Sequence, residues 1–189
     1  SSYGDFVQMA LAQGAPAAFW DGDRRRRIYA ALRGNGRGLG FVVANLRDLG
    51  GDAAAESAFL DALARAADDL RANMAIAALV ARLGAAGRAL LGRLPAYDTP
   101  VPVEGVRKLA LDRPDAAAGL PRLVDASLVE QYTDPERQTT VYQLSPLVAG
   151  WLAGQGEAVA PAVLAAAAAY QQWVYDYERR TLDQAIVLH

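Results

Sequence analysis

The chain has 189 residues, of which 53% are hydrophobic and 21% charged, and its 19 basic and 21 acidic residues give a net charge of -2. This composition is that of a globular protein long enough for one domain or two small ones, and it offers no broad cationic surface for a polyanion. Cysteine is absent and the one histidine is His189, which excludes disulfides, thiolate nucleophiles, Cys/His metal sites and Ser-His-Asp triads from this chain.

The sequence has no candidate membrane span. Residues 158–169, "AVAPAVLAAAAA", come nearest, but they are interrupted by Pro161 and fall short of the roughly 18 apolar residues that crossing requires. The first residues lack a signal-peptide pattern, so we expect a cytoplasmic protein without a membrane partner. The missing initial methionine and the helical pattern that runs to the end indicate a piece of a longer protein.

The first 83 residues have helical periodicity. Asp21 and Asp23 are predicted N-caps of a helix that runs through Leu32, and the arginines at 24–27 are interpreted as its solvated face. The glycines of "GNGRG", residues 34–38, should break this helix before another begins at Leu39. Residues 53–83 form the longest helical pattern, and we expect residues 1–83 to be one helical domain.

The second half changes character at a short β-rich passage. A polar turn, "TDPER", lies between two runs rich in β-branched and aromatic residues, which predicts a hairpin. Proline is favoured in a first helical turn, so Pro146 should open the next helix. The predicted elements are a short helix that ends at Pro95, helices at 103–111 and 116–126, and strands at 128–132 and 139–144.

Three helices followed by a hairpin is the order of a winged helix. The predicted fold is therefore mainly α, a helical bundle followed by a winged-helix domain with one two-stranded β-hairpin, with Leu128, Tyr142 and Leu144 in the core. The predicted divisions are 1–83 for the helical lid-like domain, 84–155 for the winged helix and 156–189 for a C-terminal linker helix.

The passage "LVDASLVEQYTDPERQTTVYQLSPLVAGWL", residues 123–152, resembles the end of the winged-helix domain in signal-transducing NTPases with numerous domains (STAND proteins), which include the NB-ARC, NACHT and MalT-like switches. Upstream, "YAALRGNGRGLGFVVANLRDL" is similar to their helical lid motif. The resemblance covers roughly residues 25–155, and the order of its parts is more specific than any one motif. Gly36 stands where the lid motif has proline, and Ser145 stands where the family has a histidine near the nucleotide β-phosphate.

The resemblance implies a regulatory arm, and not an enzyme. The nucleotide-proximal positions that it implies are Gly34, Asn35, Gly36, Arg37 and Ser145. No GxxxxGK[ST] loop is present and the only lysine is Lys108, so ATP or ADP and Mg are expected only in the parent protein. Its partners would be the nucleotide-binding and sensor or effector domains of the same polypeptide, and oligomerisation of the parent stays open. For Ser145 the alternative is a plain N-cap of the helix at Pro146.

The last segment predicts a helix with Tyr170, Trp173 and Tyr177 on one side, interpreted as an interdomain or partner surface. It begins a helical repeat array in one interpretation and packs back on the winged helix in the other.

Two other functions have less support in the sequence. A winged-helix transcription regulator would carry basic or amide side chains on its third helix, but that helix offers only Arg122 beside Asp115 and Asp125, so DNA is not the favoured partner. Acid catalysis would use neighbouring carboxylates such as Asp68 and Asp69, but adjacent helical residues do not face each other.

Overall fold

A computed structural model of the chain describes residues 2–15, 19, 21–32, 36–66 and 70–187, without the side chains of 37, 70 and 181–187. These residues form a mainly helical protein with one small antiparallel sheet, as the sequence predicts. The helices are α1 (Tyr3–Ala12), α2 (Gly22–Ala31), α3 (Leu39–Asp48), α4 (Ala53–Arg65), α5 (Leu70–Ala81), α6 (Ala85–Leu91), α7 (Val103–Lys108), α8 (Pro114–Ala117), α9 (Leu120–Asp125), α10 (Pro146–Gly154) and α11 (Pro161–Val187). The strands are β1 (Val101–Pro102), β2 (Val129–Thr133) and β3 (Thr140–Leu144).

Helix α3 is the centre of the N-terminal part. Seven of its ten residues, from Leu39 to Leu46, are buried, because α1 and α5 both pack against it. Asp21 caps α2 by accepting a hydrogen bond from the Asp23 amide at 3.0 Å, which confirms one of the two predicted N-caps. The short break before α3 is a 3-10 turn at Gly36–Gly38.

Two predictions for this part need correction. The pattern at 53–83 is two helices, because α4 ends at Arg65 and Arg71 donates to the carbonyls of Leu63 and Ala66 at 3.0 and 2.9 Å, satisfying the end of α4. The arginine run is only partly a solvated face. Arg24 forms an ion pair with the fully buried Glu56, and Arg27 contacts Asp61 on α4 at 2.7 Å.

The winged helix has one strand more than predicted. Its order is α6, β1, α7, α8, α9, β2, β3, and the sheet order is β1-β3-β2, with Val101 opposite Tyr142 and Val129 opposite Leu144. The extra strand β1 is two residues long and carries Pro102, which an edge strand tolerates. The predicted helix at 116–126 is divided into α8 and α9 at Ala118 and Gly119.

The division between α8 and α9 brings two backbones together. A Cβ atom placed on Gly119 would lie 2.7 Å from the Cα and N atoms of Gly87 in α6. Only glycine fits at position 119, and the absent side chain lets this corner pack directly on α6. The winged-helix core that results contains Leu128 and Leu144 as predicted, both under 9% exposed, while Tyr142 is partly buried at its edge.

Helix α11 packs on the winged helix through its first half. Val163, Ala167 and Tyr170 are buried there, and Tyr170 fills the space over Gly105, where an added Cβ would lie 2.8 Å from its ring. This contact matches the predicted alternative in which the last helix packs back. Within the described part of the chain, no helix combines the length and apolar character needed to cross a bilayer.

Candidate functional site

The junction between the helical part and the winged helix includes a set of charged contacts around Asp48. This carboxylate lies at the end of α3 with a side chain 9% exposed, and it accepts a hydrogen bond from the Arg122 guanidinium of α9. Arg82 approaches the same carboxylate at 3.6 Å. The hydrogen bond to Asp48 raises the pKa of Arg122 above its ordinary value, so the guanidinium stays charged.

Arg47, the neighbour of Asp48, links α3 to the ends of α1 and α9 by hydrogen bonds. Its guanidinium donates to the carbonyls of Gln13 and Gly14 at 3.0 and 3.2 Å and to the carbonyl of Asp125 at 3.3 Å. These carbonyls lie just after α1 and at the end of α9, where helices leave acceptors unsatisfied. One side chain of α3 therefore holds the ends of two other helices, one of them the third helix of the winged helix.

A fully buried amide extends this network into the helical part. Asn45 donates to the carbonyls of Phe41 and Ala75 at 2.7 and 3.0 Å, and its Oδ1 accepts from Arg82. Arg82 thus contacts both Asn45 and Asp48. The polar chain runs from the interior of α3 and α5 out to α9, and we call Asp48, Arg82 and Arg122 the junction triad.

A cleft of about 370 Å³ opens beside this junction. It is lined by Gln13, Gly40, Val124, Ser127, Val129, Glu130, Gln131 and Ser145. Ser145 is 6% exposed and is the N-cap residue of α10, but its side chain makes no capping hydrogen bond. Since the first amides of a helix have no partner within it and Pro146 has no N–H, the amides of Leu147 and Val148 are left for an external acceptor.

The sequence-predicted nucleotide-proximal residues are only partly placed. Gly34, Asn35 and the side chain of Arg37 lie outside the described residues. Gly36 begins the 3-10 turn that leads into α3, and Gly40, in the first turn of α3, lines the cleft with Ser145. The structure thus brings the start of α3 and Ser145 to one cleft. The N-cap alternative for Ser145 holds for its backbone position, since the Ala149 amide donates to its carbonyl at 2.9 Å.

The three aromatic residues predicted as a partner surface differ in exposure. Tyr170 is 6% exposed and packs edge-on against Tyr97 at 6.2 Å between centroids, so it belongs to the core. Trp173 and Tyr177 are 60% and 63% exposed, and their rings stack at 6.0 Å. The exposed surface on this side of α11 is therefore formed by Trp173 and Tyr177.

The wing is also engaged with α11. Its turn is ordered by Asp134, which accepts from the amides of Glu136 and Arg137 at 2.8 and 3.1 Å, and these bonds lower the pKa of the Asp134 carboxyl. Arg137 in the same turn contacts Glu178 of α11. The wing tip is thus held against the last helix.

Sequence reasoning missed the junction triad and Arg47. The one signal in the sequence was the charged end of α3, "NLRDL". It was not informative, because charged residues near a helix end are usually solvated. No local pattern indicates these pairs, because Arg122 is 74 residues from Asp48 and Arg82 is 37 residues from Asn45. The described residues contain no group of three or more acidic or histidine side chains placed to hold a metal ion.

Comparison of the chain with protein families, with curated proteins and with solved structures gave no match.

Proposed function

We propose that the chain is a non-catalytic regulatory region of a STAND-type signalling NTPase, a helical lid joined to a winged-helix arm. In this role it acts as an interdomain switch between a nucleotide-binding domain and the sensor or effector domains of the same polypeptide. The observation that carries the proposal is the docking of α9 on α3 through Arg122 and Asp48. In winged-helix and helix-turn-helix DNA readers, the corresponding helix enters the major groove.

The contacts that hold α9 suit a switch. They include charge-assisted hydrogen bonds at a partly exposed edge, where Arg122 is 40% exposed. Such pairs contribute on the order of 1 kcal/mol each, so a change of ligand can break them. A rigid-body rotation of the winged helix about this edge is the type of movement by which interdomain switches act.

The Ser145 cleft is the proposed point of nucleotide contact. A phosphate there would accept from the Ser145 hydroxyl and from the free amides at the start of α10, which a helix N-terminus favours electrostatically. The cleft also contains Glu130, which would repel a phosphate unless Mg lies between them. ATP or ADP and Mg are expected to be held mainly by the preceding domain of the parent, while Trp173 and Tyr177 would face the sensor or effector.

The first test is the coding sequence ahead of Ser1. We expect a glycine-rich GxxxxGK[ST] loop after a strand within about 250 codons, the upper range of a domain. A reading frame that begins near Ser1 would contradict the proposal. In that case a salt-dependent titration of the chain with DNA would test the winged-helix regulator alternative.

The second test is nucleotide release from the chain joined to that preceding domain. Ser145→Ala should speed the dissociation of a fluorescent ADP analogue severalfold, because one hydrogen-bond donor to the phosphate is lost. Thr139→Ala removes an exposed hydroxyl of the wing and serves as the control. Equal rates for both variants would show that Ser145 does not contact nucleotide.

A further inference from the structure

The winged helix contains a second cleft that shares no lining residue with the Ser145 cleft. It lies between α7, the α8–α9 corner and β3, and its volume is about 350 Å³. We call it the α7–α9 cleft. It is lined by Val103, Val106, Arg107, Ala117, Ala118, Leu120, Pro121 and Tyr142.

The cleft stays open because of small side chains on a fixed backbone. Ala117 and Ala118 form one wall, where a larger aliphatic residue would fill the space. The α8–α9 corner cannot shift freely to close the gap, since Gly119 is already in backbone contact with Gly87 of α6. The cleft is therefore a concavity in the surface of the winged helix, with the buried side chains of Val106 and Leu120 among its lining residues.

The polar groups of the cleft are hydrogen-bond donors. Arg107 is exposed, and its guanidinium makes no ion pair or hydrogen bond with the described residues. The Tyr142 hydroxyl makes none with them either. Among the described residues that line the cleft none is acidic, so its rim is cationic while its walls are apolar. This is the usual composition of a small-molecule site, a mostly apolar concavity with a few polar groups that fix orientation.

We propose that the α7–α9 cleft binds a small apolar carboxylate. The apolar body would lie against Val103, Val106 and Leu120, and the carboxylate would accept hydrogen bonds from the Arg107 guanidinium and the Tyr142 hydroxyl. The volume lies at the lower end of the range for ligand sites, so the body is the size of one aromatic ring with a short chain. This site does not depend on the proposed nucleotide switch.

The test is a titration of the isotope-labelled chain with phenylacetate, followed by amide chemical shifts. We expect saturable shifts confined to residues 103–107, 117–121 and the neighbourhood of Tyr142, with a Kd of about 1 mM or below. Arg107→Gln should weaken binding about tenfold, because the charge-assisted pair is lost. Lys108→Gln makes the same charge change on the adjacent exposed residue, which does not line the cleft, and should leave the Kd unchanged.

Two further measurements separate the apolar and charged contributions. Phenylacetamide, which keeps the ring but has no charge, should bind about tenfold more weakly than phenylacetate. Ala117→Leu should fill the cleft and abolish the shifts, and Ala118→Leu at the exposed side replaces it if the first variant does not fold. The proposal is overturned by an absence of saturable shifts, by equal losses in Arg107→Gln and Lys108→Gln, or by full binding in the filled variant.

Discussion

The helical part and the winged helix are each stabilised by a different kind of internal contact. In the winged helix, backbones approach closely at glycines, as at Gly119 with Gly87, and a strand ladder joins β1, β3 and β2. In the helical part, polar side chains such as Asn45, Arg47 and Arg71 reach across to backbone carbonyls of other helices. The contacts in the winged helix depend on close fit between backbones, whereas those in the helical part depend on satisfied hydrogen bonds and charge.

The difference predicts distinct sensitivities. A close backbone contact is disrupted by any added atom, which destabilises the fold, and its contribution to stability does not depend on salt. A polar network tolerates added volume at its exposed edge but fails when a buried partner is removed, because the remaining group is left unsatisfied. The junction triad is a contact of the second kind, so this edge of the boundary should respond to substitution and salt as a polar network does.

The largest effect is expected from Gly119→Ala in the winged helix. The new Cβ would meet backbone atoms of Gly87 and Ala86 at 2.7–2.8 Å, and backbone cannot move aside as a side chain can. We expect a loss of about 3 kcal/mol in the free energy of unfolding, measured by denaturant melts. Gly87→Ala is the control, since its Cβ would meet only the flexible Leu83 side chain at 3.4 Å and should cost far less. Similar losses of unfolding free energy in the two variants would show that the backbone contact between Gly119 and Gly87 does not limit the winged helix.

The next effect is expected from Asn45→Ala in the helical part. This change removes the buried hydrogen bonds that join Asn45 to the Ala75 carbonyl and to Arg82, which keeps only its contact with Asp48, and it should cost about 2 kcal/mol. Asn73→Ala alters the same residue type on the exposed face of α5 and should be nearly neutral. A neutral Asn45→Ala would mean that the polar network does not hold α3 to α5.

A smaller effect is expected from Arg122→Ala at the junction. The fold should stay intact, because Asp48 keeps Arg82, and the loss should be about 1 kcal/mol since Arg122 is partly exposed. The difference from wild type should shrink in about 1 M salt, which screens the pair. Arg88→Ala, an exposed arginine of α6, is the matched control, and a salt-independent loss in Arg122→Ala would argue for lost packing instead of lost charge.

The smallest effect is expected from Tyr97→Phe, seen best as pH dependence. Burial raises the pKa of Tyr97 to about 12, and its hydroxyl donates to the Gly105 carbonyl at 3.0 Å. The unfolded chain ionises this phenol near pH 10, so wild-type stability should fall as pH rises from about 10 to about 12. In Tyr97→Phe this alkaline fall should be shallower, with a loss at neutral pH below about 1 kcal/mol. Alkaline melts of equal slope would contradict the assignment.

The elements that the sequence predicted well are those with local signals. Pro146 opens α10 as expected, and β2 and β3 lie within one residue of the predicted runs because β-branched residues flank a turn. Strand β1 was missed because two residues carry no periodicity, and it exists only through pairing with β3. Helices α4 and α5 were predicted as one pattern, since alanine-rich sequence continues through the break, and no local periodicity shows that the Arg71 side chain turns back to the carbonyls at the end of α4.

The candidate sites were harder to predict because they depend on contacts between distant residues. Ser145 was selected by resemblance, and its burial beside Gly40 follows from the packing of α3 on the winged helix, which no local pattern contains. Tyr170 and Trp173 have similar sequence surroundings, yet one is buried and the other exposed, because Gly105 provides space for only one ring. The junction triad likewise joins charged residues from α3, α9 and the turn after α5, and such residues are usually solvated.

The packing of Tyr170 over Gly105 fixes one part of α11 to the winged helix, while the rest of the helix extends away from this contact. The helix continues from Tyr170 to Val187, which at 1.5 Å per residue is about 25 Å beyond the anchor. A rotation of the winged helix by about 10° would then displace the far end by roughly 4 Å, the scale of interdomain switching movements. Since Arg137 of the wing also contacts Glu178 on this helix, a rotation of the winged helix would be transmitted along α11 as a larger displacement at its end.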